Sequence, residues 1–156
     1  MTFSVATWNI NSVRLRQPMV LEFLERVQPD VLALQEIKCT NDQFPGAEFE
    51  RLGYVHQAVH GQKAYHGVAT LSKLPLTEIA PRTFCEIDEA RHVSARLDYG
   101  RGPVTLHNFY IPAGGDEPDP KINPKFDHKL RFLAEMSDWF DAPEFDKGQL
   151  IAGDFN

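Results

Sequence analysis

Three short segments of this sequence bring oxygen-bearing side chains to the end of an apolar run. Leu150-Ile151-Ala152 leads through Gly153 into Asp154-Phe155-Asn156, and a strand-like N-terminal stretch leads into Asn9-Ile10-Asn11. Between them, Val31-Leu32-Ala33-Leu34 runs directly into Gln35-Glu36. In an extended segment residues i and i+2 point the same way, so Asp154 and Asn156 are predicted to face one site together. Asn9 and Asn11 repeat that spacing. Carboxylate and amide oxygens so placed suit a metal ion, a polarised water or a phosphate oxygen better than they suit a core. The same residue types are ordinary turn formers, so a solvated turn after a strand is the competing reading for both pairs. Glu36 repeats the design with a single acid. Acids seldom abut a continuous apolar run, and the ends of strands in α/β sheets are where sites form.

The elements that must carry these residues follow from periodicity. Phe3-Ser4-Val5-Ala6-Thr7-Trp8-Asn9 is rich in strand formers. Pro18 opens a helical pattern with Val20, Phe23, Leu24 and Val27 on one face, closed by Gln28-Pro29-Asp30. Residues 45–52 read as a short helix ended by Gly53, and 54–59 and 68–72 as a hairpin across the polar turn from His60 to Gly67. Residues 75–81 suggest an edge strand, and 93–97 and 104–110 a second hairpin across Tyr99-Gly100-Arg101-Gly102. A loop over 112–124, rich in Pro, Gly and acids, is long enough to be functional. It leads into a second amphipathic helix whose stripe is predicted to hold Phe126, Leu130, Leu133, Met136 and Phe140. Interleaved strands, helices and hairpins indicate an α/β or α+β class with a mixed sheet.

The totals set the frame. At 156 residues and 42% hydrophobic, the chain suits one domain with a real core. No apolar run approaches a membrane span, and the first residues lack a secretory pattern, so a cytoplasmic, membrane-free protein is expected. Cys39 and Cys85 fit neither a disulfide framework nor a zinc motif, and are read as reduced thiols. His56, His60 and His66 lack convincing zinc spacing. The net charge of −6 argues mildly against bulk electrostatic binding of nucleic acid. It leaves room for a phosphodiesterase in which carboxylates and amides hold a divalent cation.

Thr7-Trp8-Asn9-Ile10-Asn11, Leu34-Gln35-Glu36, Asn108-Phe109-Tyr110 and Gly153-Asp154-Phe155-Asn156 together resemble the exonuclease III family of apurinic/apyrimidinic endonucleases. That family lies within the wider endonuclease/exonuclease/phosphatase superfamily. Gln28-Pro29-Asp30-Val31, Gly61-Gln62-Lys63, Gly67-Val68-Ala69 and Glu89-Ala90-Arg91 point to its DNA-repair branch. The resemblance implies one domain, a four-layered sandwich of two mixed sheets with helices outside. It implies Glu36 as principal metal ligand with Asn9 assisting and Asn11 nearby. Asp154 is implied to orient and deprotonate the attacking water, with Asn156 and Tyr110 as donors to the scissile phosphate. Arg91, Lys63 and Arg14 are implied contacts to the DNA backbone.

The expected cofactor is Mg²⁺, with Mn²⁺ able to substitute, since an incomplete oxygen shell of one or two carboxylates suits that ion. The expected partner is double-stranded DNA at abasic sites or 3′ ends, bound by a monomer. The family pattern continues with another aspartate and a Ser-Asp-His segment that this sequence does not hold, and His92, His107 and His128 stand in the wrong contexts to replace the histidine. The chain is therefore expected to be the N-terminal portion of a longer enzyme, with a sandwich incomplete on its C-terminal side and little activity alone. Two rivals remain: a superfamily phosphatase acting on lipid or inositol phosphates, and a non-catalytic fragment that keeps the fold's first half.

Overall fold

Val31 to Gln35 are buried on both faces, and the molecule is arranged around that strand. The computed structural model describes residues 2–145 and 148–156. One sheet holds β1 (Val5–Asn9), β2 (Val31–Gln35), β3 (His56–His60) and β4 (Val68–Ser72) in the order β1-β2-β4-β3, with only β1 and β2 parallel. The other holds β5 (Leu76–Pro81), β6 (His92–Asp98), β7 (Pro103–Tyr110) and β8 (Gln149–Asp154) in sequence order, with only β7 and β8 parallel. Both sheets are mixed, and both predicted hairpins form.

Strand alternation makes the layers. Leu32 and Leu34 project to one side of the first sheet, where they meet Val20 and Leu24 of α1 (Val13–Val27) and Phe49 of α2 (Gly46–Glu50). Val31 projects to the other side and packs with Leu97 and Leu106 of the second sheet. The far face of that sheet buries Phe109 against Phe84 and against Phe132 of α3 (Pro124–Phe140). Helix, sheet, sheet and helix stack as four layers, as expected.

Two polar side chains join the sheets in the dry space between them. Gln35 Nε2 donates to Asn108 Oδ1 at 2.8 Å, and Asn108 Nδ2 donates to the carbonyls of Leu34 and Ala69 at 3.1 and 3.0 Å. Both residues are buried, at 1% and 0% exposure. A buried amide left unpaired costs about 1–3 kcal/mol, so this clamp fixes which face of each sheet turns inward.

Helix limits differ from the periodic reading at two places. α1 begins at Val13, not at Pro18, because the Ser12 and Val13 N–H groups donate to the carbonyls of Glu36 and Ile37 at 2.7 and 3.2 Å. Docking on the end of β2 satisfies donors that a helix start otherwise leaves open, and Pro18 is carried inside the helix. In α3 the face turned to the core carries Phe132, buried, with Met136, Trp139 and Phe140 partly buried beside it, so Met136 and Phe140 of the predicted stripe pack there, whereas Leu130 and Leu133 are 42% and 37% exposed. Both sets have helical spacing, and Phe132 and Trp139 face inward where they meet Phe84, with Phe132 also reaching Phe109. Asn123 caps this helix, accepting from the Lys125 and Phe126 N–H groups and donating to Gly114 and Glu117 carbonyls of the preceding loop.

Candidate active site

The C-terminal ends of β1, β2, β7 and β8 meet at one end of the sandwich. Registry places Asn9 opposite Gln35, so Glu36 emerges beside it, and places Tyr110 opposite Asp154. Asn9 links the two sheets: its Nδ2 donates to Glu36 Oε1 at 2.8 Å and to Asp154 Oδ2 at 2.7 Å. The Tyr110 hydroxyl donates to the same Glu36 Oε1 at 2.8 Å. Two carboxylates, one amide and one phenol thus share a single hydrogen-bonded cluster.

Backbone geometry explains how they get there. Strand alternation would send Glu36 to the helix side with Leu32 and Leu34. A left-handed φ of 52° at Glu36 breaks that alternation, and its carboxylate reaches across to Tyr110 of the other sheet instead. Gly153 has φ 147°, and a Cβ there would collide with the Phe109 carbonyl oxygen. Only glycine lets β8 approach β7 closely enough to set Asp154 in the cluster.

The pairs at i and i+2 do not face the site together, which corrects the reading from strand spacing. Asn9 Oδ1 accepts the Asn11 N–H at 3.1 Å, and Asp154 Oδ1 accepts the Asn156 N–H at 3.0 Å. In each pair the chain turns, with Asn11 and Asn156 at φ 45° and 50°. The first member enters the cluster, while Asn11 stands at its edge beside Lys38 and Asn156 turns to Ile111. Asn11 Oδ1 accepts from Lys38 Nζ at 2.6 Å, and Asn156 Nδ2 donates to the Ile111 carbonyl at 2.8 Å. Turn and site were alternatives in the sequence; here one side chain does both.

Electrostatics follow from these contacts. Burial pushes the Glu36 carboxyl up, but hydrogen bonds from Asn9, Tyr110 and Lys38 outweigh it and hold the group below its ordinary range. Burial, aided by the Glu36 charge, pushes the Tyr110 phenol up to about 12, so it is a donor at neutral pH. Lys38 Nζ stands 3.0 Å from Glu36 Oε2. Sequence reasoning had not singled it out, although its place two residues after Glu36 was a signal.

The other expected contacts lie around the cluster. Arg91 is 8% exposed and stacks its guanidinium 4.8 Å from the Tyr110 ring centre. Lys63 is exposed in the turn before β4, and Arg14 is exposed in the first turn of α1; neither bonds to the cluster. Among the described residues, no group of three or more His, Cys, Asp and Glu is arranged to hold a metal ion.

A four-layered sandwich that gathers acid, amide and phenol at the ends of strands from both sheets defines a class of α/β protein with a polar site at its sheet ends. The chain belongs to the endonuclease/exonuclease/phosphatase family, whose sequence profile matches residues 6–156. It is 36% identical over 155 residues to exodeoxyribonuclease III of Haemophilus influenzae, an alignment covering 96% of this chain and 56% of that protein. Its fold is similar to an AP endonuclease from Archaeoglobus fulgidus, with TM-score 0.84, 29% identity, and coverage of 99% of this chain and 57% of that one. It is also similar to the Neisseria 3′ phosphatase NExo (D146N) bound to a product DNA hairpin, with TM-score 0.84, 28% identity, and coverage of 97% and 57%. The chain thus spans a little over half the length of these relatives.

Proposed function

We propose that this chain carries the metal-binding and water-activating half of a Mg²⁺-dependent DNA phosphodiesterase of the exonuclease III and abasic-endonuclease type. The observation that carries the reading is the Asn9–Glu36–Tyr110–Asp154 cluster, drawn from four strand ends and two sheets. Membership of the family and the DNA-directed activities named for the relatives support it.

The donor set fits a hard divalent cation. Glu36 Oε2 and Asn11 Oδ1 already share one cation, the Lys38 ammonium, at 3.0 and 2.6 Å. Oxygen donors with one or two carboxylates and retained waters are what Mg²⁺ takes, and Mn²⁺ accepts the same set. Glu36 and Asn11 would hold it, with Asn9 keeping the Glu36 carboxylate in place. When bound, the ion would supply Lewis acidity toward a phosphate oxygen. Asp154 is the general base: its Oδ2 is oriented by Asn9 and its Oδ1 by the Asn156 N–H, so the carboxylate cannot rotate away from a water placed before it. Tyr110, neutral at working pH, donates its proton to an oxygen and is the group to steady a phosphate once the cation holds Glu36. Lys63 and Arg14 are exposed cations at the same end, suited to the phosphates of duplex DNA.

The test is cleavage of an abasic-site duplex in Mg²⁺ by this chain and by its Asp154→Ala variant, with soluble phosphomonoesters and inositol phosphates as controls. A general base contributes roughly 10²- to 10⁴-fold, so the variant is expected to lose that much of the rate while keeping its affinity for DNA. Undiminished cleavage by Asp154→Ala, or a preference for the small phosphates, overturns the proposal. A second reading, that the chain binds metal and DNA but turns over little by itself, is favoured by its covering 56% of the Haemophilus relative. Duplex binding with single-turnover cleavage near background supports that second reading.

A further inference from the structure

The Glu89 carboxylate is a meeting point that the hydrolytic cluster does not use. Its Oε2 accepts from Arg91 Nε at 2.5 Å, and its Oε1 lies 3.4 Å from His66 Nε2. His128 Nε2 of α3 is 3.9 Å from Oε2. These neighbours come from the residue before β6, the turn before β4, and α3, so three separate parts of the fold converge on one carboxylate. The Glu89, Arg91 and His128 side chains are 22%, 9% and 17% exposed, and with Tyr110 and Lys125 they line a cleft beside the cluster.

Arg91 in turn grips Tyr110 in three ways. Its guanidinium stacks on the ring, its Nη1 donates to the Tyr110 carbonyl at 3.3 Å, and its own carbonyl accepts the Tyr110 N–H at 2.7 Å. The Tyr110 hydroxyl then donates to Glu36. An unbroken line of contacts therefore runs from Glu89 through Arg91 and Tyr110 to Glu36. Burial lowers the affinity of both His66 and His128 for protons, with Arg91 adding to it, so at neutral pH Arg91 is the cation that balances Glu89.

We propose that Glu89 is a positioning residue of this site: by holding the Arg91 guanidinium over the Tyr110 ring, it keeps the phenol on Glu36. The proposal rests on the functional reading above for its consequence, and on geometry alone for its mechanism. Arg91 is then a support for Tyr110 first, with two of its nitrogens committed before any DNA phosphate arrives. Glutamine in place of Glu89 keeps the shape and removes the charge, so the guanidinium is left with at most a neutral acceptor while the fold keeps its packing.

The experiment compares the 156-residue chain with Glu89→Gln, Glu89→Asp, Arg91→Lys and the double variant Glu89→Gln/Arg91→Lys. Tyrosine ring carbons and arginine Nε–H groups are followed by NMR, the Tyr110 signal being assigned with Tyr110→Phe, alongside Tm and affinity for a duplex with an abasic analogue. Glu89→Gln is expected to shift both the Arg91 Nε–H and the Tyr110 ring signals and to weaken duplex binding on the order of tenfold, the scale of one charge-assisted hydrogen bond. Glu89→Asp should recover part of each change. The double variant should be no worse than Arg91→Lys, since both act on one contact. Tyr110 signals that stay in place in Glu89→Gln and Glu89→Asp while Tm falls overturn the proposal, as do effects that add in the double variant. A wild-type chain that does not bind the duplex, with Tyr110 signals that still move in Glu89→Gln, defeats the functional reading and supports the positioning role.

Discussion

Asn9 has two amide protons, and they go to two different carboxylates on two different sheets. That sharing joins Glu36 and Asp154 through a neutral donor rather than a positive charge. Removing the amide has a calculable direction. Asn9 is the strongest of the hydrogen bonds that hold the Glu36 carboxyl down against burial. In Asn9→Ala the Glu36 pKa is expected to rise, and affinity for Mn²⁺ or Mg²⁺ to fall by roughly 10- to 100-fold, the range seen when a partner that orients a ligand is lost. Carboxyl ¹³C NMR against pH and calorimetric metal titration read the two effects; an unchanged Glu36 titration would falsify the orienting role. Residue types alone marked Asn9, Glu36 and Asp154, because acids and amides after apolar runs are unusual. They did not mark Lys38, and they marked Glu89 only as part of the Glu89-Ala90-Arg91 segment; the place of each lies in what stands next to it in space. Nor could spacing reveal that Asn11 and Asn156 turn aside, since that depends on left-handed residues that any asparagine can adopt.

The elements were legible where hydrophobic periodicity was clean. β2 is apolar on both faces and is buried on both; β6 and β7 form the hairpin their turn residues announce. α3 was harder, because it carries two apolar stripes at helical spacing. The structure gives the core to Phe132 and its aromatic neighbours and leaves Leu130 and Leu133 outside. Phe132→Ala is accordingly expected to cost about 3–5 kcal/mol, and Leu130→Ala less than about 1 kcal/mol, by urea denaturation. Equal costs would mean that the helix packs by its other face. The start of α1 was missed for a related reason: Ser12 and Val13 donate to carbonyls of residues beyond β2, and no local signal foretells a cap supplied from elsewhere in the chain.

At the scale of the whole molecule, two polar devices sit where apolar residues would be expected. Gln35 and Asn108 bind the sheets to one another, and His92 and His107 lie stacked behind the second sheet among Phe109, Trp139 and Phe140. His92 Nε2 and His107 Nδ1 are 3.0 Å apart, and His107 Nε2 meets Gln149 Oε1 at 2.8 Å. Burial, with the neighbouring His107 adding to it, pushes the His92 pKa down to about 2, and burial lowers that of His107. Both imidazoles are neutral in the folded state, while in the unfolded chain they take up protons near pH 6.5. Their contribution to stability is therefore complete above about pH 6.5. It is lost as pH falls from there toward 2, by about 1.4 kcal/mol per pH unit for His92. Stability is expected to be nearly level between pH 7.5 and 6.5 and to fall toward that slope by pH 5, and His92→Phe to lessen the fall; a wild-type stability independent of pH across this range would contradict the neutral pair. The class of fold, the order of most strands and helices, and the acids and amides at the strand ends can be read along the chain, because side-chain periodicity and turn chemistry are local. Only the tertiary structure decided which partner each of those groups meets. That choice depends on registry between β7 and β8, on the left-handed turn at Glu36 and on the close approach at Gly153, and each of these is set by contacts between segments far apart in the chain.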